Sequence, residues 1–399
     1  MEEILLRSIT RSVQRMTHLS IGTSEIRAAK SSFFISGFAY STWGLMIPTL
    51  KENLQLPADL LGLLLFCLGA SACAAMPAAG ILSRYYSCRR LIIFFSLSAT
   101  AALLILPLLP SPLLFLPVLS LLGLSIGALD VVINLNGVLT EQGSRRRIMS
   151  GMHAFYSIGC FGAGMLFSFL SAAFGSSLFS IALVHALLIW AVLFLFRRHY
   201  LGEKAGGGSR SFLWPRGLVI LLGLMGCIGF LAEGGIMDWG GVLLIEDKGI
   251  PLQSSGLGYT FFSAAALLLR LLGDALTERF GEKTVLFGSI FFSALAFAGI
   301  SICTDFTLLL ASFTLLGAGT ANSIPILYSL LSRQKSMPLS TSVTALTSMG
   351  YTGILIGPSL LGFTAHHFHI SAAFDLMALL MVCQAFLAVL VFRHTEKKI

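Results

Sequence analysis

The chain has 399 residues, of which 56% are hydrophobic and only 11% are charged, and it carries a formal net charge of +8. Because a soluble domain has about 25% charged residues, this composition and a mean hydropathy of +0.88 exclude an ordinary soluble protein. They are typical of a protein that crosses the bilayer several times.

Twelve apolar segments of membrane-spanning length follow one another along the chain. A hydrocarbon core about 30 Å thick needs roughly 20 apolar residues per helix. Continuous apolar runs favour helices over the alternating strands of a barrel, the other structure that pairs its whole backbone in lipid. The predicted fold class is all-α polytopic, with spans at residues 31–50, 58–82, 90–109, 112–138, 151–174, 177–197, 217–245, 256–276, 285–303, 306–331, 341–364 and 371–393.

The basic residues are concentrated in every second loop. If the N-terminus is cytoplasmic, the loops that follow the second, fourth, sixth, eighth and tenth spans are cytoplasmic too, and they hold fifteen Lys/Arg. The two termini hold eight more, whereas the loops on the opposite side hold only Lys51 and Lys248. This asymmetry predicts a multi-pass protein of the cytoplasmic (inner) membrane with both termini in the cytoplasm. It accounts for the positive charge without a nucleic-acid partner.

The N-terminal residues 1–30 contain no apolar signal region. Arg7, Arg11 and Arg15 stand four residues apart, which favours either a short helix on the membrane surface or a disordered basic tail. The seven cysteines form no C-x-x-C pair, and the histidines of "HHFH" at 366–369 lack a diagnostic ligand spacing. No metal site and no cofactor are expected.

A flexible Gly/Ser linker at 197–217 follows the sixth span and divides the chain into two halves. The Trp-Gly pair at 43–44 recurs 196 residues later at 239–240, and "YSIG" at 156–159 is matched by "TSMG" at 347–350. Similar offsets indicate a duplicated half. The predicted domains are an N-terminal segment 1–30, six-helix bundles 31–197 and 217–393, a linker 198–216 and a tail 394–399.

The loops after the second and eighth spans share a signature. Loop 2–3 is "GILSRYYSCRR" and loop 8–9 is "DALTERFGEK". Both resemble the motif G-x-L-a-D-r-x-G-r-r of the major facilitator superfamily, with Arg84 in the acid's place in the first copy and Glu278 there in the second. The other matching positions are Gly80, Leu82, Arg89, Arg90, Leu276, Arg279 and Gly281.

A second stretch, "GALDVVINLNGVLTEQGSRRRIMSGMHAFYSIG", resembles the sub-branch related to fucose permeases. The resemblance implies two pseudo-symmetric six-helix bundles, alternating access, and a central cavity lined by helices 1, 4, 7 and 10. It implies no particular substrate, and a sugar is not supported because helix 1 lacks the acid of fucose permeases. The matching residues are Gly127, Asp130, Asn134, Met149, Ser150, His153, Ser157 and Gly159.

Glu233 and Asp238 lie in the seventh span, where a charge costs about 2.5–3.5 kcal/mol at the bilayer centre. The glycines that follow Glu233 favour an interrupted helix, a place where transporters bind substrates and ions. Glu233 is predicted to carry the proton, and Asp238 with Trp239 to form a gate or a substrate contact. Alternatively, Asp238 lies in the outer interface and Trp239 in the aromatic belt.

Asp130 and Asn134 lie one turn apart on helix 4. Asn134 is predicted to bind substrate and Asp130 to couple protons, or Asp130 holds the arginines of loop 2–3. Arg270 and Asp274 form either an intrahelical ion pair or a latch between the halves. Glu278 and Arg279 are further latch candidates, and His153 is predicted as a neutral gate residue.

Polar and aromatic side chains on other spans are candidates for cargo binding. Each is equally compatible with a role in holding helices together. These candidates are Trp43, Asn322, Tyr328 and Tyr351.

The predicted function is secondary active transport driven by protons, in which a monomer moves a small polar organic solute across the bilayer. The alternatives are efflux of a drug-like or siderophore-like compound and a non-transporting receptor or scaffold. No phosphate loop, H-E-x-x-H or G-x-S-x-G motif occurs, so an enzyme is not expected.

Overall fold

The computed structural model describes residues 21–55, 58–174, 177–202, 214–334 and 336–396. Within these ranges the chain forms helices joined by short turns, without a strand. The all-α prediction is therefore confirmed for the part of the chain that the structure describes. The predicted surface helix or tail at residues 1–20 and the linker core at 203–213 lie outside the described residues.

Six helices precede the linker. The third, α3, continues into a 3₁₀ turn at Leu106–Leu108. Their bounds are α1 Thr23–Asn53, α2 Ala58–Tyr85, α3 Cys88–Ile105, α4 Pro112–Ser144, α5 Met149–Phe174 and α6 Leu178–Phe196.

The helices after the linker are less regular. A π-helix at Leu243–Asp247 follows α7, and the element Leu252–Ile302 contains two helices separated by Gly281, whose φ of 81° breaks the helical path. We call these α8 (252–280) and α9 (282–302). The remaining bounds are α7 Leu218–Val242, α10 Phe306–Thr320, α11 Ser323–Leu331, α12 Leu339–His367 and α13 Ile370–Glu396.

Nine helices in the described part of the chain are long and apolar enough to cross a membrane. One of them, Gly256–Ile302, covers the predicted eighth and ninth spans together. The predicted first and eleventh spans correspond to α1 and α12, which are outside that set of nine. Helix α1 begins at Thr23, eight residues before the predicted start of the first span, so residues 23–30 belong to a helix.

Local sequence signals fix several helix ends. Ser87 precedes α3 and its side chain accepts a hydrogen bond from the backbone N–H of Arg90 at 3.4 Å. Asp305 does the same for α10 through the N–H of Leu308 at 3.0 Å. Each cap satisfies a backbone donor that the first helical turn leaves without a partner.

The chain divides into two units. The first contains the described residues up to Ile148 together with Phe155–Trp214 and Pro338–Thr344. The second contains Met149–Ala154, Pro215–Met337 and the described residues from Ala345 onwards. The predicted domain bounds at 31–197 and 217–393 stay a prediction.

Glycines allow close helix contacts inside each unit. In the first unit, a Cβ at Gly159 would collide with the carbonyl oxygen of Phe34 on α1. In the second unit, a Cβ at Gly353 would collide with the carbonyl oxygen of Cys227 on α7. Small residues at such crossings let backbones approach, which is how helices associate where lipid removes the hydrophobic driving force.

Candidate functional site

Helix α10 ends in mid-span at Thr320, and α11 begins at Ser323. The sequence predicts one continuous helix over 306–331, but Ala321 and Asn322 form a turn. An interruption leaves backbone groups without intrahelical partners, and side chains must satisfy them. Arg270 on α8 donates from Nε to the carbonyl oxygen of Ala321 at 3.2 Å, and Asn322 donates from Nδ2 to the carbonyl oxygen of Leu269 at 3.0 Å.

Arg270 also forms an ion pair with Glu233. Its Nη2 lies 2.5 Å from Oε1 of Glu233, and the two side chains are 15% and 26% exposed. Glu233 is fifteen residues beyond the start of α7, a rise of about 23 Å, which places it deep in the span. The pair thus joins α7 and α8 beside the interruption of α10.

A small cavity of about 10 Å³, lined by both polar and apolar side chains, adjoins Glu233 in the second unit. That volume is at the lower limit of about 10–15 Å³ that holds one water molecule. The hydroxyl of Thr320 is buried, with no hydrogen-bond partner in the described part of the chain. The cavity is lined by Gly229, Ala232, Glu233, Ser293, Thr320, Ser323, Ile324, Met381 and Gln384.

Asp274 lies one turn beyond Arg270 on α8. Its carboxylate accepts hydrogen bonds from the backbone N–H groups of Ser150 at 3.0 Å and Gly151 at 2.9 Å. These donors belong to the first turn of α5, where unpaired N–H groups and the helix dipole favour an anion. The contact fits the hypothesis of a latch, which stays a prediction.

The other latch candidates lie apart from this cluster. Glu278 and Arg279 are exposed, and the guanidinium of Arg279 lies 5.3 Å from the ring centroid of Phe280. His153, the predicted gate residue, stacks on Tyr328 with ring centroids 5.8 Å apart. The Tyr328 ring is fully buried, and its hydroxyl lies 2.7 Å from that of Thr347.

Helix α7 does not break at its glycines. It remains α-helical through Gly234, Gly235 and Gly240, and it changes to a π-helix only after Val242. The expected interruption next to Glu233 is therefore wrong, because the intrahelical hydrogen bonds persist where lipid offers no alternative partners. Since α7 is continuous, Glu233 and Asp238 point in directions about 140° apart, and Asp238 is exposed.

The two candidate tryptophans, Trp43 and Trp239, and the candidate Tyr351 contact other parts of the protein. Trp43 is only 5% exposed. The indole of Trp239 packs against Gly362 of α12, and the ring of Tyr351 lies 6.0 Å from that of Phe230. Their predicted cargo contacts stay predictions.

In the first unit, Asp130 and Asn134 are in contact. Asn134 donates from Nδ2 to the backbone oxygen of Asp130 at 2.9 Å and to its Oδ1 at 3.3 Å. The Oδ1 of Asn134 is buried and has no hydrogen-bond partner among the described residues. Arg84, which the sequence analysis places in loop 2–3, lies in the last turn of α2 and donates from Nη2 to the hydroxyl of Thr341 at 2.8 Å. The Asp130–Asn134 pair thus combines an acid with an amide oxygen that can accept a hydrogen bond.

Sequence patterns do not reveal one buried polar pair. His185 on α6 is fully buried, and its Nδ1 lies 2.7 Å from the hydroxyl of Thr42 on α1. The available signal is a single histidine within an otherwise apolar span. Among the described residues, no group of three His, Cys, Asp or Glu side chains is placed to hold a metal ion.

The comparisons with known proteins agree with this arrangement of helices. The family model described as Major Facilitator Superfamily matches residues 31–257 and 222–399. The chain belongs to this superfamily. Membership makes it a membrane transporter of a small solute rather than an enzyme.

Relatives across the superfamily are similar over nearly the whole chain. An uncharacterized MFS-type transporter of Yersinia pestis is 33% identical over 366 residues, which cover 91% of this chain and 95% of the relative. Membrane protein MosC of Rhizobium meliloti is 28% identical, covering 84% of this chain and 83% of MosC. The crystal structure of the E. coli fucose:proton symporter FucP matches with a TM-score of 0.77 at 17% identity, over 92% of this chain and 98% of FucP. The predicted major facilitator fold is confirmed.

Proposed function

We propose that this superfamily member is a proton-coupled secondary transporter that moves a small polar organic solute by alternating access. Its proposed location is the cytoplasmic membrane, with both termini in the cytoplasm and a monomer as the working unit. The observation that carries the proposal is the Glu233–Arg270 pair beside the turn at Ala321 and Asn322. Ionisable residues inside spans are costly and mark ion pathways.

The pair suits proton coupling because protonation changes its net charge. With Glu233 ionised, Arg270 is neutralised at 2.5 Å. A proton on Glu233 leaves Arg270 as an uncompensated cation, and removal of one partner from a buried pair costs about 3–5 kcal/mol, with a smaller cost for partly exposed side chains. An anionic or hydrogen-bonding cargo group, or a change of conformation, would thus lower the free-energy cost of the protonated state.

The polar side chains that line the cavity beside Glu233 support a route for the proton. A water molecule there would lie against the carboxyl group of Glu233 and the buried hydroxyl of Thr320. A site with several polar neighbours can hold a water, which typically makes about three hydrogen bonds. Asp130, next to Asn134 in the first unit, is a second proposed proton carrier, and Asp238 is a third.

Two buried amide oxygens support a polar cargo. The Oδ1 atoms of Asn134 and Asn322 have no hydrogen-bond partner in the described part of the chain. A buried acceptor without a partner costs about 1–3 kcal/mol, so a cargo hydroxyl or amine that reaches either oxygen gains affinity. FucP is described as a fucose:proton symporter, but the first span of this chain contains no acid, so we do not propose fucose.

The test is to record charge movement from proteoliposomes on a solid-supported membrane while a panel of metabolites and drug-like compounds is applied. Glu233→Gln is compared with Glu246→Gln, an equal change at an exposed acid in the π-helix. We expect a cargo-dependent current whose size varies with pH, lost in Glu233→Gln and kept in Glu246→Gln. For an uncharged cargo, the sign of the current separates proton symport from proton antiport.

Other outcomes change the assignment in defined ways. Currents that survive Glu233→Gln but disappear in Asp130→Asn would identify Asp130 as the proton carrier. A current that depends on sodium but not on pH contradicts proton coupling. Silence across the panel with folded protein favours a receptor or scaffold.

A further inference from the structure

A groove of about 290 Å³ lies along the first unit between α1, α5 and α6. One end is basic and the rest is mainly aromatic and aliphatic. Along α1 the change from Arg27 to Phe34 occurs within about 10 Å of helical rise. The groove is lined by Arg27, Lys30, Ser31, Phe34, Phe155, Val192 and Phe196.

The basic end has no carboxylate partner among the described residues. Glu25, the acid nearest to Arg27 in sequence, accepts a hydrogen bond from the N–H of Gly22 and lies 3.9 Å from Nδ1 of His199. Lys30 Nζ lies 5.4 Å from the centroid of the Phe155 ring, and this cation–π contact leaves its N–H groups available to an anion. Two positive charges therefore face the groove without a neutralising acid from the described part of the chain.

The hydroxyl groups nearby add no negative charge. The Oγ of Ser31 donates to the carbonyl oxygen of Ala28 at 2.8 Å and lies 3.0 Å from the hydroxyl of Tyr200. Burial raises the pKa of Tyr200 to about 12, so this phenol stays protonated at neutral pH. The basic end of the groove keeps its charge.

The basic end also lies at an end of the helices. Arg89, at the start of α3, donates to the carbonyl oxygens of Tyr200 at 3.0 Å and Arg198 at 2.6 Å, just beyond the end of α6. Arg27 is in the second turn of α1. Helix ends of this kind meet the headgroup region of a bilayer, and the apolar part of the groove extends from there toward the hydrocarbon.

We propose that the groove binds an anionic phospholipid. The phosphate would contact Arg27 and Lys30, and the upper part of one acyl chain would lie against Phe34, Val192 and Phe196. Basic pockets between membrane helices bind anionic lipid headgroups through the same charge complementarity. Residues 1–20 of the chain are the less suitable occupant, because their three arginines (Arg7, Arg11 and Arg15) outnumber their two acids (Glu2 and Glu3) and the groove is itself positively charged.

The test is a titration by native mass spectrometry of the full-length protein in detergent. Phosphatidylglycerol is compared with phosphatidylcholine of the same acyl chains, with and without excess inorganic phosphate. Arg27→Ala/Lys30→Ala removes the two charges. Arg90→Ala/Arg146→Ala is the matched control, because it removes two exposed arginines that do not line the groove.

We expect the wild-type protein to bind one molecule of phosphatidylglycerol. It should bind this lipid more tightly than phosphatidylcholine. The groove variant should weaken phosphatidylglycerol binding about 30-fold, since each basic residue near an anionic surface contributes about a fivefold factor, and the control should not. Val192→Trp, which fills the apolar part, should weaken binding of both lipids. Thermal unfolding of each variant checks that the protein is folded.

Three results would overturn the proposal. Equal binding of both lipids by the wild-type protein would show that Arg27 and Lys30 do not distinguish an anionic from a zwitterionic headgroup. Displacement by inorganic phosphate, together with no effect of Val192→Trp, would assign the site to a free phosphate. Tighter lipid binding after Glu2→Gln/Glu3→Gln would indicate that the acids of the N-terminal segment occupy the basic end of the groove.

Discussion

The Glu233–Arg270 pair gives a quantitative prediction about stability. Glu233→Gln keeps the shape of the side chain but removes its charge, so Arg270 retains its hydrogen bond to Ala321 and loses its counter-ion. A hydrogen bond to a charged group contributes about 1.5–3 kcal/mol. Because the two side chains are 26% and 15% exposed, water partly replaces the lost interaction, and we expect a loss of about 2 kcal/mol.

The assay is a double-mutant cycle with Glu233→Gln, Arg270→Gln and the double variant. The free energy of unfolding is measured by denaturant titration in mixed micelles. A coupling energy of about 2 kcal/mol is expected, since directly contacting charged residues couple by about 0.5–3 kcal/mol. Glu246→Gln, at an exposed position, should change the free energy by less than about 0.5 kcal/mol.

A coupling energy near zero would contradict this prediction. In that case each charge is satisfied by other partners, and protonation of Glu233 would not release Arg270. The proposed proton mechanism would lose its energetic basis, although the fold and the family membership would stand.

Three further predictions concern packing and capping. Asp274→Ala should lower the free energy of unfolding by about 1–3 kcal/mol, because two N–H groups at the start of α5 lose their charged acceptor, and Asp274→Asn should recover part of the loss in the same titration. Gly353→Ala should lower the yield of folded protein in detergent, measured by size exclusion, whereas Gly288→Ala, whose added Cβ would meet no neighbouring atom, should not. Thr42→Val should cost about 1–3 kcal/mol in thermal or chemical unfolding, because the buried ring of His185 loses its hydrogen bond.

Much of the fold follows from the sequence because lipid leaves a chain few choices. Continuous apolar runs of about 20 residues must be helical, and the described residues are. The repeated Trp-Gly pair and the two signature loops are sufficient to indicate the superfamily. The helix ends are harder to predict, since α1 begins at Thr23 although its first eight residues are too polar for an apolar span.

The candidate site depends on contacts that no local pattern reveals. The sequence singles out Glu233 as an acid in lipid, but its partner Arg270 lies 37 residues away on the next helix. Spacing alone favours Asp274 as the partner of Arg270. The glycines after Glu233 favour an interruption of α7, which does not occur. Propensities measured in water overstate the effect of glycine in a span, because the backbone in lipid has no water to bond instead.

The amino-acid sequence alone establishes the membrane class, the helical fold and the charged residues that lipid makes costly. The packing of the helices places the interruption at Ala321 and Asn322, where two hydrogen bonds, from Arg270 and from the Asn322 side chain, join the turn to α8. It also brings Arg27 and Lys30 beside apolar side chains of α5 and α6. The hydrophobicity of each segment is a local property that can be read from the sequence. Ion pairs, broken helices and grooves depend instead on which helices pack together.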